Sequence, residues 1–405
     1  MRTVTRSLLG RLAAVAVALV AGVAMVAGPA LAAGSVHATW TLAGANPSWT
    51  GTMTVPATGF PVASYATNSQ TPQIASGASA YLGPSTPYGA VFGSSQGQPY
   101  LTVRTAAGTT PSTLTLTFPQ PTPASGWGFA VGDLDADQLA FQATGPSGAL
   151  SPADLGYQSS FNYCAVSPTP STCTNPPFDH VPTWDPTTGT LSGDGEDESG
   201  SAAWFRPTAP ISTLTLTFTA LSGFPVYQLW FAALTSSISG TVTLQDGGPA
   251  PAGTTLQLLD ASGVPVVDAA GNPVTTTTAL DGTYSIPEVV AAGYRVAVVA
   301  PAGYEVVGDT TRSADASAGD VTGVDFVLRT TAPTTTTTST TTSTTTTVPP
   351  PSTTTPPPST TTPPASRQIP ATGTGTGLQV AIALALLGAG AACVLASRAH
   401  AARRT

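Results

Sequence analysis

Between residues 34 and 234, apolar and polar positions alternate in short runs broken by Pro and Gly, and no stretch sustains a helical period. The pattern predicts an all-β unit. Residues 101–104, 112–118, 126–131, 138–143, 202–205, 211–219 and 225–233 read as strands. In Ser112-Thr113-Leu114-Thr115-Leu116-Thr117-Phe118 the leucines fall on one face and the threonines on the other, as a strand with one buried face requires. The same heptapeptide recurs at 212–218. Internal duplication accounts for it, and so does convergence of two strands under one sandwich constraint, which we prefer.

A second run of short strands covers about 236–328. It includes Ile238 to Val242, 256–260, 278–286 with Asp281-Gly282 as a hairpin turn, 293–298 and 324–328. This stretch resembles the collagen-adhesin B-type and carboxypeptidase regulatory-like repeats, which are transthyretin-like β-sandwiches. The expected fold class is therefore all-β, with an outer jelly-roll-like sandwich and an inner transthyretin-like one. Many B-type domains of that family carry a Lys–Asn isopeptide bond assisted by a carboxylate. The chain contains no Lys, so Asn272 and Glu288 take no such role, and a polymerising pilus shaft joined through Lys amines is disfavoured.

Both ends carry targeting patterns. Arg2, Arg6 and Arg11 precede or enter an apolar run over 12–26, followed by Gly28-Pro29 and Ala30-Leu31-Ala32, which reads as a secretory signal peptide cleaved after Ala32. Residues 330–366 are almost all Thr, Pro and Ser and cannot bury a core, so they read as an extended stalk. Then come Ile369-Pro370-Ala371-Thr372-Gly373, an apolar run over 378–397, and Arg398, Arg403 and Arg404. About 20 helical residues cross the roughly 30 Å hydrocarbon core, with the arginines held on the cytoplasmic side.

This tail resembles the LPXTG sorting signal of Gram-positive surface proteins, with Ile369 in place of the usual Leu. The resemblance implies that a sortase cleaves between Thr372 and Gly373. Its thiolate attacks the Thr372 carbonyl, and a peptidoglycan precursor amine resolves the thioester, leaving Thr372 as the covalent wall attachment. The segment 127–232 resembles a recurrent ectodomain of actinobacterial wall-anchored proteins. The expected organisation is signal peptide 1–32, outer ectodomain 33–235, inner sandwich 236–329, stalk 330–366 and sorting signal 367–405. The expected location is the extracellular cell wall.

Only 8% of residues are charged and the net charge is −8, which disfavours nucleic acid or an anionic membrane surface as partner. Cys393 sits in the apolar tail, leaving Cys164 and Cys173 as an even pair suited to an oxidising location and to a disulfide. Closing a loop of about ten residues contributes roughly 2.5–3 kcal/mol in the entropic model.

The candidate chemistry lies in the first unit. Asp133, Asp135 and Asp137 follow an apolar strand at alternate positions and offer oxygens of the kind a structural calcium ion takes, without the Gly and distant Glu of an EF-hand; a turn in which Asp side chains accept main-chain amides is the reading we prefer. A second acidic group, Asp194, Glu196, Asp197 and Glu198, reads as a solvated turn or as a partner sharing an ion with the first. Paired carboxylates also serve glycoside hydrolysis. Trp127, Trp204 and Trp230 lie on strand patterns and read as core. Trp184 lies in a Pro-rich loop, where an exposed stacking platform and packing under the loop are both open. These features point to a wall-linked adhesion or ligand-binding module for a glycan or protein, with a cell-surface glycan-active enzyme as the alternative.

Overall fold

The two copies of the heptapeptide lie side by side in the computed structural model, which describes residues 34–174, 176–223 and 225–331. Strands Ser112–Thr117 and Thr213–Ala220 pair antiparallel with Leu114 opposite Leu216 and Leu116 opposite Leu214. All four leucines are fully buried, while Thr115 and Thr215 share a 3.1 Å hydroxyl hydrogen bond on the other face. Two central strands meeting one core need the same face pattern, so this pairing gives the repeat a physical reason.

These strands sit in the middle of a sheet ordered Thr183–Asp185, Thr190–Ser192, Asp137–Gly145, Thr213–Ala220, Ser112–Thr117, Ala63–Thr67, Ser48–Thr54, Thr39–Trp40. The facing sheet runs Tyr157–Asn162, Ser201–Phe205, Trp127–Gly132, then Val226–Leu244, whose far edge pairs with Tyr100–Arg104 and Gly34–His37. From Tyr100 onward the chain crosses between the sheets at nearly every connection. The core between them is aromatic, with Phe129 stacked on Phe205 at 4.8 Å and Trp127 on Phe231 at 5.9 Å. Trp127, Trp204 and Trp230 are buried as expected. Among the described residues strand makes up 48% and helix 3%, in line with the alternation.

The second sandwich has one sheet of Thr275–Thr277, Thr255–Asp260, Gly293–Val299 and Thr311–Asp315. Its other sheet is built on the second half of Val226–Leu244, which pairs antiparallel with Thr283–Val290 and parallel with Phe326–Thr330. The boundary expected at 235/236 thus falls inside one 19-residue strand. The cores still separate there: Ala233 belongs to the first and Ile238 to the second. Three main-chain hydrogen bonds add to the junction: Thr58 N–H to Glu288 O (2.7 Å), Val290 N–H to Thr58 O (3.0 Å) and Ala291 N–H to Leu234 O (2.8 Å). Val289 packs into the second core and Val290 into the first.

Two expectations change. Asp281-Gly282 does form a tight turn, with Gly282 at φ 81° and Asp281 accepting from the Thr283 amide, but it is not a hairpin. The flanking strands Thr275–Thr277 and Thr283–Val290 belong to opposite sheets. The second change concerns the short strands between Gly34 and Ala75, which the sequence reading does not contain; their Ala, Gly, Ser and Thr residues carry little apolar contrast. Among the described residues, no helix is long and apolar enough to cross a membrane. The signal segment with Ala32, the stalk beyond residue 331, and the sorting segment with Ile369, Pro370, Ala371, Thr372 and Gly373 lie outside the described residues.

Candidate functional site

Strand Trp127–Gly132 runs away from the junction, where Gly126 abuts Ala291, and ends at the far tip of the first sandwich, about 20 Å away at roughly 3.3 Å per residue. There the chain turns through Asp133, at φ 62°, and enters strand Asp137–Gly145. The second acidic segment is stitched onto this turn. Gly193 N–H donates to Asp137 O (2.9 Å), Gly195 N–H to Asp135 O (2.9 Å), Leu134 N–H to Ser201 O (3.1 Å) and Ser201 Oγ to Leu134 O (2.9 Å). A Cβ on Gly193 would collide with Asp135 main chain, so this approach requires glycine.

The tip gathers eight of the ten acidic residues between 34 and 235, while the two arginines of that span, Arg104 and Arg206, make no ion pair among the described residues. Asp137 is 0% exposed and neither of its oxygens has a hydrogen-bond partner. Asp135 is 3% exposed; Oδ1 accepts from Ala136 N–H at 2.6 Å and Oδ2 is unpartnered. An unpaired carboxylate taken out of water costs several kcal/mol.

The protonation equilibria record that cost. Burial, then the charges of Asp135 and Asp197, push Asp133 up to about 7 against the pull of the Gly200 amide. Burial pushes Asp135 up to about 6, with the Ala136 amide opposing and Asp197 adding. Burial, then Asp135, Asp133 and Asp197, hold Asp137 well above the carboxylate range. Asp197, an exposed member of the second acidic group, adds its charge to all three.

Glu198 and His180 occupy the rim. Glu198 accepts the Phe178 amide (2.6 Å) and the His180 amide (2.9 Å), and Asn162 Nδ2 ties the same loop to Ser199 O (3.1 Å). His180 Nδ1 lies 2.6 Å from Asp194 Oδ2 in an ionic contact out of line for a hydrogen bond. Desolvation lowers the imidazole pKa, and Asp194, Glu198 and Asp179 together outweigh it, so the net shift is upward. Cys164 and Cys173 form the expected disulfide, with Cα atoms 5.4 Å apart, and a Cβ on Gly200 would press against Cys164 Sγ at 2.6 Å.

Trp184 lies on strand Thr183–Asp185 rather than in a loop. Its indole stacks on Tyr157 at 5.5 Å and meets Phe141 and Phe205 edge-on, so packing accounts for its position. A separate cleft of about 570 Å³ lies where the sandwiches meet, lined by Pro61, Pro121, Pro123, Val264, Val266 and Tyr294.

No family model and no curated protein matches the chain. Among solved structures it is similar to BcpA, the major pilin subunit of Bacillus cereus, at 10% identity over 55% of this chain and 64% of that one, with a TM-score of 0.21. It is also similar to the full-length major pilin SpaD from Corynebacterium diphtheriae, at 11% identity over 57% and 67%, TM-score 0.21. A third is GBS52, the minor pilin of Streptococcus agalactiae, at 10% identity over 33% and 71%, TM-score 0.22. The chain spans less than two thirds of BcpA. Likeness at this level says nothing about what the chain does.

Proposed function

We propose that the protein is a sortase-anchored cell-wall surface protein that holds its first sandwich outward as an adhesion or ligand-binding module. The observation that carries this reading is the polarity of the two-sandwich body. Strand Val226–Leu244 starts at the acidic tip and runs through the second sandwich, and strand Phe326–Thr330 runs parallel to it. The chain therefore leaves the second sandwich at the end opposite the tip, and the Thr/Pro segment and the Ile369–Gly373 motif follow in sequence. A wall-linked C-terminus then faces the acidic tip away from the cell. The lack of Lys makes Thr372 the only tether of this kind and favours a single displayed protein over a polymer.

Glycan hydrolysis needs two carboxylates facing an open cleft; Asp135 and Asp137 are enclosed instead. A glycan or a protein is the ligand class proposed for the tip and its flanking loops. Mass spectrometry of wall digests tests the anchor: the expected terminal peptide ends at Thr372 joined to a peptidoglycan fragment. A wall-bound peptide continuing past Gly373 overturns it.

A further inference from the structure

We infer that Asp179, His180 and Glu198 form a zinc site that clasps the 178–180 loop onto the 194–199 segment at the rim of the tip. One ligand atom from each of the three lies within 4.8 Å of the other two. Two ligands held at about 2.0–2.2 Å from one zinc ion are roughly 3–4 Å apart, so small side-chain rotations close the shell. Among the described residues no other group of His, Cys, Asp and Glu converges in this way.

The observation beyond the convergence is the imidazole. The His180 side chain is only 26% exposed, yet neither ring nitrogen makes a hydrogen bond among the described residues. Nδ1 is enclosed and out of line with Asp194, while Nε2 faces Asp179 Oδ1 and Glu196 Oε2, each 3.9 Å away. That gap is too wide for a hydrogen bond and is of the size a metal ion spans between nitrogen and oxygen.

The backbone prepares the site. Glu198 takes the Phe178 amide on Oε1 and the His180 amide on Oε2, which wraps the loop onto this carboxylate and delivers Asp179 and His180 beside it. Each carboxylate oxygen keeps a second lone pair for a metal. Asn162 Nδ2 holds the other side, through Ser199 O and His180 O.

Donor chemistry selects the ion. One imidazole with two carboxylates suits zinc, whereas calcium and magnesium take oxygen alone. Three protein ligands with water in the remaining position make a common zinc shell. The neutral imidazole is the ligand, so binding releases any proton the ring carries. No arginine pairs with Asp179, Asp194, Glu196 or Glu198 among the described residues, and the chain has no Lys, so no fixed protein cation competes there. His37, the other described histidine, is turned inward onto the Phe92 carbonyl at 3.1 Å.

The test uses the purified, untagged full chain freed of metal with a chelator, and zinc alone as probe. Calorimetric titration is expected to show one zinc ion per chain. With zinc about a hundredfold above the dissociation constant, the melting temperature should rise by roughly 4 °C, and equal calcium or magnesium should not move it. Asp179→Asn, at a largely exposed position, and His180→Gln should each weaken zinc by about tenfold or more, whereas Asp137→Asn keeps the zinc response. Melting without zinc shows whether each variant folds. Should one fail to fold, cobalt(II) added to the unsubstituted protein replaces it: visible absorption bands that zinc removes support the site. No zinc-dependent rise in melting and no zinc-displaced cobalt band overturns the inference. So does a rise that calcium matches, or one that survives His180→Gln.

Discussion

The strand shared by the two sandwiches predicts that they unfold as one. Three main-chain hydrogen bonds at the junction, worth about 1 kcal/mol each net, contribute roughly 3 kcal/mol. Burial of Val290 in the first core adds about 2 kcal/mol. A coupling of roughly 5 kcal/mol leaves little population in which one sandwich is folded without the other. The perturbation is Val296→Ala, on strand Gly293–Val299, fully buried in the second core alone. Removing two methyl groups loses about 1.6 kcal/mol of transfer energy, and the residual cavity about 1 kcal/mol more. For a cooperative unit of about 300 residues that lowers the melting temperature by roughly 4 °C.

All six tryptophans lie in the first sandwich, so their fluorescence reports on that half while far-UV circular dichroism reports on both. The two transitions are expected to coincide and to shift together in Val296→Ala. A tryptophan transition that stays at its original midpoint, while an earlier step appears in circular dichroism, would refute the coupling.

Three further outcomes follow from named contacts. Gly126→Ala combines a left-handed backbone (φ 82°) with a clash against the Ala291 carbonyl and Val290 Cγ1 (2.9 Å), and is expected to cost about 2–3 kcal/mol by calorimetry. Gly253→Ala, at φ 84° in open space, should cost only about 1 kcal/mol; equal losses would contradict the junction contact. Cys164→Ser is expected to lower stability by about 2.7 kcal/mol in urea titration, and reduction of the unsubstituted protein should match it. The folded pKa of His180 is raised, so its contribution to stability is complete below pH 6.5, its ordinary value, and is lost as pH climbs through the raised one. His180→Gln should flatten the melting profile across that window, and a profile identical to that of the unsubstituted protein would count against the Asp194 contact.

Strand identity was legible because a period of two is local: Leu114 and Leu116 declare their face without knowing what they pack on. That they pack beside Leu214 and Leu216 was not legible, since pairing across about a hundred residues is set by the whole sandwich. Thr235, Ser236 and Ser237 are polar and straddle the expected boundary, yet Thr235 and Ser236 are buried. Gly34–His37 and Thr283–Val290 flank the chain there, and Ser236 Oγ finds the Ala316 carbonyl at 3.0 Å.

The sequence by itself determined the all-β class, the run of two sandwich-like units, the cysteine pair and the residue types at the acidic tip, since each rests on composition or short spacing. Only the tertiary structure decided that the units share one strand, and that Asp137 is enclosed with neither oxygen partnered and Asp135 with one unpartnered, while the charge of Asp197 reaches them from about sixty residues away. An aspartate in a Gly-rich turn is ordinarily solvated; depth depends on which distant segment closes over it, and no local pattern carries that information.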